Sequence, residues 1–443
     1  MAFSHIPTQT RQWFSRLAAP LDVRSSARLV GLLLGVILAR GRQTITNWIA
    51  TAGLSCQFRP AYTTVAAVGK RTDAIAAQLV RSVVQPLIAD CKRLTFAIDD
   101  TPTPRYGPHV QGAGIHHNPT PGPVGSRFVY GHVWVTLALV LPHPKWEMIA
   151  LPLLSRMYVR EKDVSAIPES ERPEFRTKLV MAVEMLRFAH EQFHASGKDL
   201  WVVMDGAYAG APVLKPAIQM GFTVVSRLRC DAALTSLPAE RVPGKRGRPR
   251  IYGTERIDLA ERAANPANWL RGSFRLYGQT VEKEYQTFEA TWRPAGGKIR
   301  VVMVNEPTGW IAFFSTNVEA SATDILETVA SRMSIETMFR DAKQSAGLGQ
   351  QQARKMSTNV GSTHLCWCAM TMTEAWAWNQ PEDQISDRSE SPWDDPKRRP
   401  SHAEKRKAFR REVLRQEIIG VLGNQLNQVE NADLVERILD LAA

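Results

Sequence analysis

The sequence predicts an α/β protein, in which a mixed sheet is flanked by helices, interrupted by a β-rich insertion and bounded by α-helical regions at both ends. Three observations predict this class. From residue 94, apolar and polar residues alternate with the period of a strand, and two more strand-like runs follow. Short apolar runs at 200–205 and 223–228 then alternate with helical patterns, as in a sheet covered by helices. Between 230 and 317, β-like runs predominate.

The composition is that of a folded protein with a strong positive charge. The 443 residues are 44% hydrophobic and carry a formal net charge of +12, which excludes a wholly disordered or collagenous chain. This charge favours an anionic partner, of which nucleic acid is the commonest. The five irregularly spaced cysteines do not form a disulfide framework, so we expect a cytoplasmic protein. The longest apolar run, 29–39, is far shorter than the ~20 residues of a membrane span, so we expect a core helix and no membrane partner.

The chain divides into six predicted regions. The first, at 1–90, has helical patterns at 27–39, 44–52 and 61–68, and is either a DNA-contacting unit resembling a helix-turn-helix or a structural bundle. The others are a first core part at 91–229, a β-rich insertion at 230–317, a second core part at 318–378, a linker at 379–401 and C-terminal helices at 402–443.

Within these regions the elements are predicted from local periodicity. Strands are expected at 94–99, 128–141, 146–154, 200–205 and 223–228, and in the insertion at 273–276, 285–292, 299–304 and 310–315. Helices are expected at 174–195, 212–220 and 363–378, and one long helix is expected from Ser321 or Thr323 to near Gly347.

Three carboxylates stand where a ligand site is expected. Asp99 ends the first predicted strand, Asp205 ends the run LWVVMD, and Glu336 lies in the long predicted helix. An open sheet presents its ligands at the carboxyl ends of strands. Converging carboxylates repel one another unless a cation lies between them, and oxygen ligands suit Mg²⁺ or Mn²⁺. Singly, each acid is explained as a turn residue, and it is the surrounding topology that favours a metal site.

Two cations flank Glu336 on one predicted helix face. At about 100° per residue, Arg332 and Lys343 lie about 20° apart, and Glu336 lies about 40° from Arg332. Such a set suits a site that holds both a metal ion and phosphates. The alternative is a solvated helix face with an Arg–Glu pair at i, i+4.

These residues resemble the motifs of insertion-sequence DDE transposases of the YREK-signature group. Arg332, Glu336 and Lys343 form R-x3-E-x6-K, Asp99 begins a D-x-T motif, and Asp205 begins a D-G-x-Y motif. The long spacing between Asp205 and Glu336 contains the β-rich insertion, as in that group. The resemblance covers roughly residues 90–378.

The resemblance implies an RNase H-like core and a bacterial, nucleoid-associated transposase that cleaves DNA and transfers strands. It implies that Asp99, Asp205 and Glu336 are catalytic and hold two Mg²⁺ or Mn²⁺ ions, while Arg332 and Lys343 contact DNA phosphates. The implied partners are double-stranded DNA, as the element's terminal inverted repeats and the target, and a second copy in a synaptic homodimer. The implied pathway is cut-and-paste transposition through a hairpin.

Two positions complicate the resemblance. Val329 stands where the group has its Tyr, so the phosphate contact of that hydroxyl is missing or is supplied elsewhere. Asp100 lies beside Asp99 and leaves the first ligand ambiguous, although the D-x-T spacing and the strand alternation favour Asp99.

Two other features are consistent with DNA binding, and each has a plainer alternative. Trp310 lies where related hairpin-forming transposases keep a Trp that stacks on a flipped base, or it packs in the core. The segment KRGRPR resembles an AT-hook core whose Arg246, Arg248 and Arg250 enter the minor groove, or it is a solvated basic loop.

The stretch 397–415 carries nine basic residues against two acidic ones. It is predicted to bind either DNA or a partner subunit, and the sequence does not choose between them.

Two rival functions remain. The first is a DNA-binding protein of the same fold that does not cut. The second is a zinc metalloprotease, because His190 and His194 form H-E-x-x-H on a predicted helix. Against the protease, His190 falls on the apolar stripe of that helix, and the sequence shows no third ligand downstream.

Overall fold

The structure is a computed structural model that describes residues 5–118, 125–240, 248–388, 393–395, 397–422, 435 and 437–439. Among these residues, no helix combines the length and the apolar composition needed to cross a membrane. The apolar run at 29–39 instead lies in a buried helix of the N-terminal region, as predicted.

One mixed sheet of twelve strands runs through the described residues. The strands are β1 (Arg93–Pro104), β2 (Gly114–His117), β3 (Phe128–His143), β4 (Glu147–Tyr158), β5 (Asp199–Met204), β6 (Thr223–Leu228), β7 (Leu234–Thr235), β8 (Arg256–Ile257), β9 (Leu270–Leu276), β10 (Gln279–Trp292), β11 (Gly297–Glu306) and β12 (Gly309–Ser315). Ten of them follow the order β2-β3-β1-β5-β6-β12-β11-β10-β7-β8, while β4 pairs with β3 and β9 with β10. The β1–β5 and β5–β6 pairs are parallel.

Fourteen α-helices lie in the described part of the chain. They are α1 (Thr8–Ala18), α2 (Val23–Leu38), α3 (Ile45–Thr51), α4 (Phe58–Gly69), α5 (Thr72–Leu79), α6 (Glu161–Val164), α7 (Lys178–Phe193), α8 (Ala211–Gln219), α9 (Leu259–Ala264), α10 (Ala322–Ser331), α11 (Met333–Gln344), α12 (Met356–Ala377), α13 (Glu382–Ile385) and α14 (His402–Leu422). The predicted fold class is thereby confirmed: a large mixed sheet flanked by helices, consistent with an RNase H-like fold.

The β-rich insertion extends the core sheet. Its last strand, β12, pairs antiparallel with β6, and β11, β10 and β9 follow in turn. The edge of β6 is therefore covered by strands of the same sheet, which removes an exposed edge from the core.

Strand alternation gives the sheet two differently covered faces. Phe96 and Val202 belong to a buried cluster that includes residues of α7 and α8. Ala97 and Val203, their immediate neighbours, pack with residues of α11 and α12 on the other face. Because successive side chains point to opposite faces, the face that a polar residue occupies follows from its position along the strand.

The N-terminal helices pack against α12, the central helix of the second core part. Phe14, Trp48 and Val65 share a buried cluster with Leu365 of α12 and Phe409 of α14. Helices α4 and α12 approach closely at Gly69 and Gly361, since a Cβ on Gly361 would overlap the carbonyl oxygen of Val65. The N-terminal region is thus joined to the core by a tight helix crossing.

The prediction of one long helix is wrong in one respect, because the structure divides it into α10 and α11 at Arg332. The amide of Arg332 bonds to the carbonyl of Val329, and the amide of Ile335 bonds to the carbonyl of Arg332. These i, i+3 bonds tighten the chain at this residue. Arg332 keeps a helical backbone, so the predicted shared face with Glu336 survives the break.

Candidate active site

Asp99 and Asp205 lie side by side at neighbouring parallel strands. Ile98 of β1 is in register with Met204 of β5, so the residues that follow them, Asp99 and Asp205, reach the same level of the sheet. By alternation both follow Ala97 and Val203 onto the face covered by α11. The sheet therefore directs two carboxylates towards the helix that carries Glu336.

Arg332 connects Asp99 to Glu336. One guanidinium nitrogen lies 2.6 Å from Oδ2 of Asp99, and the other lies 3.0 Å from Oε1 of Glu336. The side chains of Arg332 and Asp99 are 24% and 18% exposed, whereas that of Glu336 is 44% exposed. The guanidinium therefore neutralises a half-buried acid on one side and a more exposed one on the other.

The environment of Asp99 disfavours its negative charge. Burial, together with the carboxylates of Asp100 and Asp205, raises the pKa of Asp99 to about 6, even though Arg332 and the amide of Asp100 act to lower it. That amide donates a 2.8 Å hydrogen bond to Oδ1 of Asp99. A positive charge close to Asp99 is thus favoured, and Arg332 supplies one.

Asp100 is held on the opposite face of β1. Its Oδ2 accepts a 2.7 Å bond from Nζ of Lys178, and its Oδ1 accepts a 2.9 Å bond from the hydroxyl of Tyr208. Burial, together with the charge of Asp100, raises the pKa of Tyr208, so this hydroxyl stays protonated and donates. Each carboxylate oxygen of Asp100 therefore has a partner that Asp99 does not share.

Lys178 was not predicted as a site residue, and Tyr208 was predicted only as part of its motif. Lys178 opens α7, a helix whose start was predicted four residues too early, so that its first turn could not be placed. The motif D-G-x-Y held the only sequence signal for Tyr208, a residue that is 3% exposed.

The carboxylate oxygens at this site suit a hard divalent cation, although they are not grouped closely enough to form a complete metal site. Among the described residues, no three His, Cys, Asp or Glu side chains are grouped closely enough to hold a metal ion. Asp99 and Asp205 still offer the oxygen ligands that Mg²⁺ and Mn²⁺ prefer. The raised pKa of Asp99 shows that added positive charge stabilises this carboxylate. In this arrangement, the guanidinium of Arg332 lies between Asp99 and Glu336.

Within the described part of the chain, neither Lys343 nor Trp310 forms a hydrogen bond or ion pair with the three acids. Lys343 lies two turns after Glu336 on α11, and burial lowers its pKa. Trp310, the second residue of β12, packs half-buried against the cluster that contains Phe96, on the face of the sheet opposite to Asp99.

The basic KRGRPR segment is described only in part. Arg248 and Arg250 are exposed, whereas Arg246 lies outside the described residues. Neither of these two arginines forms an ion pair with another described residue.

The H-E-x-x-H histidines stack on each other at the end of α7. Their ring centroids lie 4.7 Å apart, and Nδ1 of His194 bonds to the carbonyl oxygen of His190 at 2.8 Å. The position of His190 on the apolar stripe of this helix favours a core histidine, but the residue is half-buried, and among the described residues its Nδ1 has no hydrogen-bond partner. The bond to His194 is made within the helix and does not orient the pair for a shared ligand.

Comparison with known proteins adds one match. A family model described as "DDE superfamily endonuclease" matches residues 16–296, more than half of the chain. The match includes Asp99 and Asp205 and ends before Glu336. No curated protein matches the chain.

Proposed function

The chain belongs to the DDE superfamily of endonucleases, and on that premise we propose that it is an insertion-sequence transposase that cleaves double-stranded DNA and transfers the freed strand. Nucleases of this superfamily generally use divalent metal ions. The proposal assigns Asp99, Asp205 and Glu336 as the catalytic carboxylates.

One observation carries the proposal: Arg332 joins Asp99 and Glu336, which are far apart in the sequence. It thereby supports the third acid, which lies beyond the matched family region. The R-x3-E-x6-K motif supports the same assignment independently, because it selects Glu336 from the sequence alone.

The carboxylates of Asp99, Asp205 and Glu336 would hold the metal, with two Mg²⁺ or Mn²⁺ ions as the expected number. A bound ion would acidify a water molecule and stabilise charge on the scissile phosphate. This role requires Arg332 to exchange at least one of its carboxylate partners for a DNA phosphate, for which a guanidinium is equally suited.

The proposed reaction has two chemical steps. Water attacks the scissile phosphorus, the bond to the 3′ oxygen breaks, and the products are a 5′ phosphate and a 3′-OH. That hydroxyl then attacks a second phosphodiester, which forms one P–O bond as another breaks and needs no external energy source. Cut-and-paste transfer through a hairpin, recognition of inverted repeats and pairing of two copies in a synaptic homodimer are the finer parts of the proposal.

The base-flipping role of Trp310 is not needed for this function. Its ring packs on the face opposite to Asp99, so the chemistry assigned to the three acids does not depend on it.

The test is cleavage of a labelled duplex that carries the element's own end, with Mg²⁺ or Mn²⁺ and with EDTA. We expect metal-dependent cutting by the wild type and loss of cutting in Glu336→Gln. The matched control is Glu327→Gln on the adjacent helix α10, which removes the same charge and should leave cleavage intact.

Two outcomes would contradict the proposal. DNA binding without cutting in the wild type would favour the non-cutting DNA-binding protein. Cutting that survives in Glu336→Gln would show that the third carboxylate is a different residue.

A further inference from the structure

A pocket whose charged lining residues are all cations lies where three parts of the chain meet. The turn after α2, the C-terminal end of α11 and the first turns of α14 enclose a volume of about 300 Å³. Its charged lining consists of Arg40, Arg406, Lys407 and Arg410, and none of the described residues that line it is Asp or Glu. Charges of one sign in a shared pocket repel one another, so the free energy of this arrangement falls when an anion enters.

Backbone carbonyl oxygens bind one of these cations, Arg406. Arg406 donates to the carbonyl oxygen of Ser345 at 2.7 Å, and to those of Val36 and Ala39 at 2.8 and 3.0 Å. These carbonyls end α11 and α2, where the helix dipole is negative and a cation is favourable. Arg406 is therefore a structural cap for both helices.

Arg410 lacks such carbonyl partners among the described residues. This residue is nine-tenths buried, with 9% exposed, and among the residues that the structure describes its Nε has no hydrogen-bond partner. Burial lowers its pKa and the charge of Arg40 lowers it further, so the pocket as it stands disfavours the charge that Arg410 carries. A buried guanidinium nitrogen without an acceptor is costly unless a ligand supplies one.

Lys407 adds an exposed charge to the same face of α14. Positions 403, 406, 407 and 410 are spaced by three or four residues, so these side chains line one side of the helix and open on one pocket. A planar guanidinium with an unfilled donor, together with a flexible ammonium, suits a phosphate group.

The pocket lies along the helix that carries Glu336. Gln344 and Ser345 line it, and they follow Glu336 by eight and nine positions, which is roughly 12–14 Å of helix. Along one strand of a duplex, successive phosphates advance about 3.4 Å along the axis, so this distance corresponds to about four base steps.

We propose that this pocket is a phosphate-binding site for the DNA backbone, in which Arg410 and Lys407 hold a phosphate about four steps from the cleavage position. The inference rests on the proposed function for the identity of its ligand. It assigns the basic stretch of α14 to DNA contact, the alternative to partner-subunit binding that the sequence left open.

The test measures binding of the full chain to a fluorescent 30-base-pair duplex without metal, over a range of salt concentrations. Loss of one phosphate contact reduces the slope of log affinity against log salt by about 1 and weakens binding roughly tenfold near 0.1 M salt. We expect this from Lys407→Gln and Arg410→Gln. Lys407 is exposed, so its variant remains informative if Arg410→Gln does not fold.

The matched control is Arg187→Gln. Arg187 is an exposed residue of α7, which covers the face of the sheet opposite to α11, and its loss removes one positive charge as well. Its salt slope and affinity should equal those of the wild type. An equal effect in Arg187→Gln would mean that only net charge matters, which would overturn the proposal.

Other outcomes are equally decisive. Unchanged salt slopes in both pocket variants would overturn the proposed site. The site would also be overturned if calorimetry shows that the wild type binds inorganic phosphate while the variants leave DNA affinity unchanged. If the pocket variants weaken DNA binding but the wild type cuts no DNA, the site stands and the proposed function fails. If the wild type cuts DNA and the pocket variants bind DNA normally, the proposed function stands and the phosphate site fails.

Discussion

Arg332 lies 2.6 Å from Asp99, although 233 positions separate the two residues. The same guanidinium reaches Glu336 at 3.0 Å. A fixed cation thus sits between two of the three acids that are proposed to hold metal. Metal and guanidinium compete for the same carboxylate oxygens, so the arginine sets how tightly the free protein binds an ion.

Replacing Arg332 by Gln is therefore expected to raise the affinity of the free protein for Mn²⁺. The variant leaves Asp99 and Glu336 without their shared cation, and an ion then gains the interaction that the guanidinium gave up. We expect roughly tenfold tighter binding, equivalent to ~1.4 kcal/mol. Calorimetry or electron paramagnetic resonance with Mn²⁺, without DNA, measures this directly.

Arg340→Gln is the control for that measurement. Arg340 is also on α11, but its side chain is 62% exposed and it forms an ion pair with the adjacent Asp341. Its loss should leave Mn²⁺ affinity within about twofold of the wild type, because exposed ion pairs contribute little. Weaker Mn²⁺ binding in Arg332→Gln would show that the arginine assists the ion instead of competing with it.

Asp99 and Asp100 are adjacent in sequence and should differ sharply in function. Asp99→Asn is expected to lower DNA cleavage by about 10³-fold, since Asp99 shares its face with Glu336. Asp100→Asn should keep cleavage within about tenfold and instead lower stability by ~1–3 kcal/mol, because Lys178 and Tyr208 lose a charged acceptor.

Cleavage assays and urea unfolding of the two variants separate these effects. Loss of cleavage in Asp100→Asn with activity retained in Asp99→Asn would make Asp100 the first ligand.

The sequence predicted those parts of the fold and site that depend on local periodicity. The alternation of β1 fixes the opposite faces of Asp99 and Asp100, and the end of an apolar run marks Asp205. The break at Arg332 was not predictable from the sequence. It depends on i, i+3 hydrogen bonds at this residue, and a sequence that forms them differs little from one that continues the helix. The partner of Asp100 was missed because Lys178 approaches it through packing of α7 on the sheet, a tertiary relation without a local signal.

A buried ion pair joins the C-terminal helix to the core. Glu374 of α12 accepts from Nζ of Lys405 at 2.6 Å and bonds to Nδ1 of His402 at 2.7 Å, and all three side chains are nearly inaccessible. Despite its burial, the charge of Lys405 and the bond to His402 hold the pKa of Glu374 well below its ordinary value of 4.5.

Glu374→Gln is expected to destabilise the protein at neutral pH by about 3–5 kcal/mol, because it leaves the charge of Lys405 buried without a counter-ion. A carboxyl with a lowered folded-state pKa stabilises the fold above its unfolded value and loses that contribution as the pH falls. The difference between wild type and variant should therefore shrink as the pH drops below about 4.5.

Urea unfolding at a series of pH values tests this. The exposed Glu319→Gln serves as control and should stay within ~0.5 kcal/mol of the wild type at each pH. A constant difference between wild type and Glu374→Gln down to pH 3 would contradict the assignment.

Gly361→Ala should destabilise the protein even though alanine is the better helix former. In an unhindered helix this change stabilises by roughly 1 kcal/mol. Here the added methyl would overlap the carbonyl oxygen of Val65, a backbone atom that can move only if α4 separates from α12. Overpacking of this kind costs about 1–3 kcal/mol or more, so we expect a net loss of stability, measured by urea unfolding.

Gly297→Ala is the control, because its Cβ would meet no atom within 4 Å. This variant should stay within ~1 kcal/mol of the wild type. Equal effects in both variants would mean that the α4–α12 crossing is not the cause.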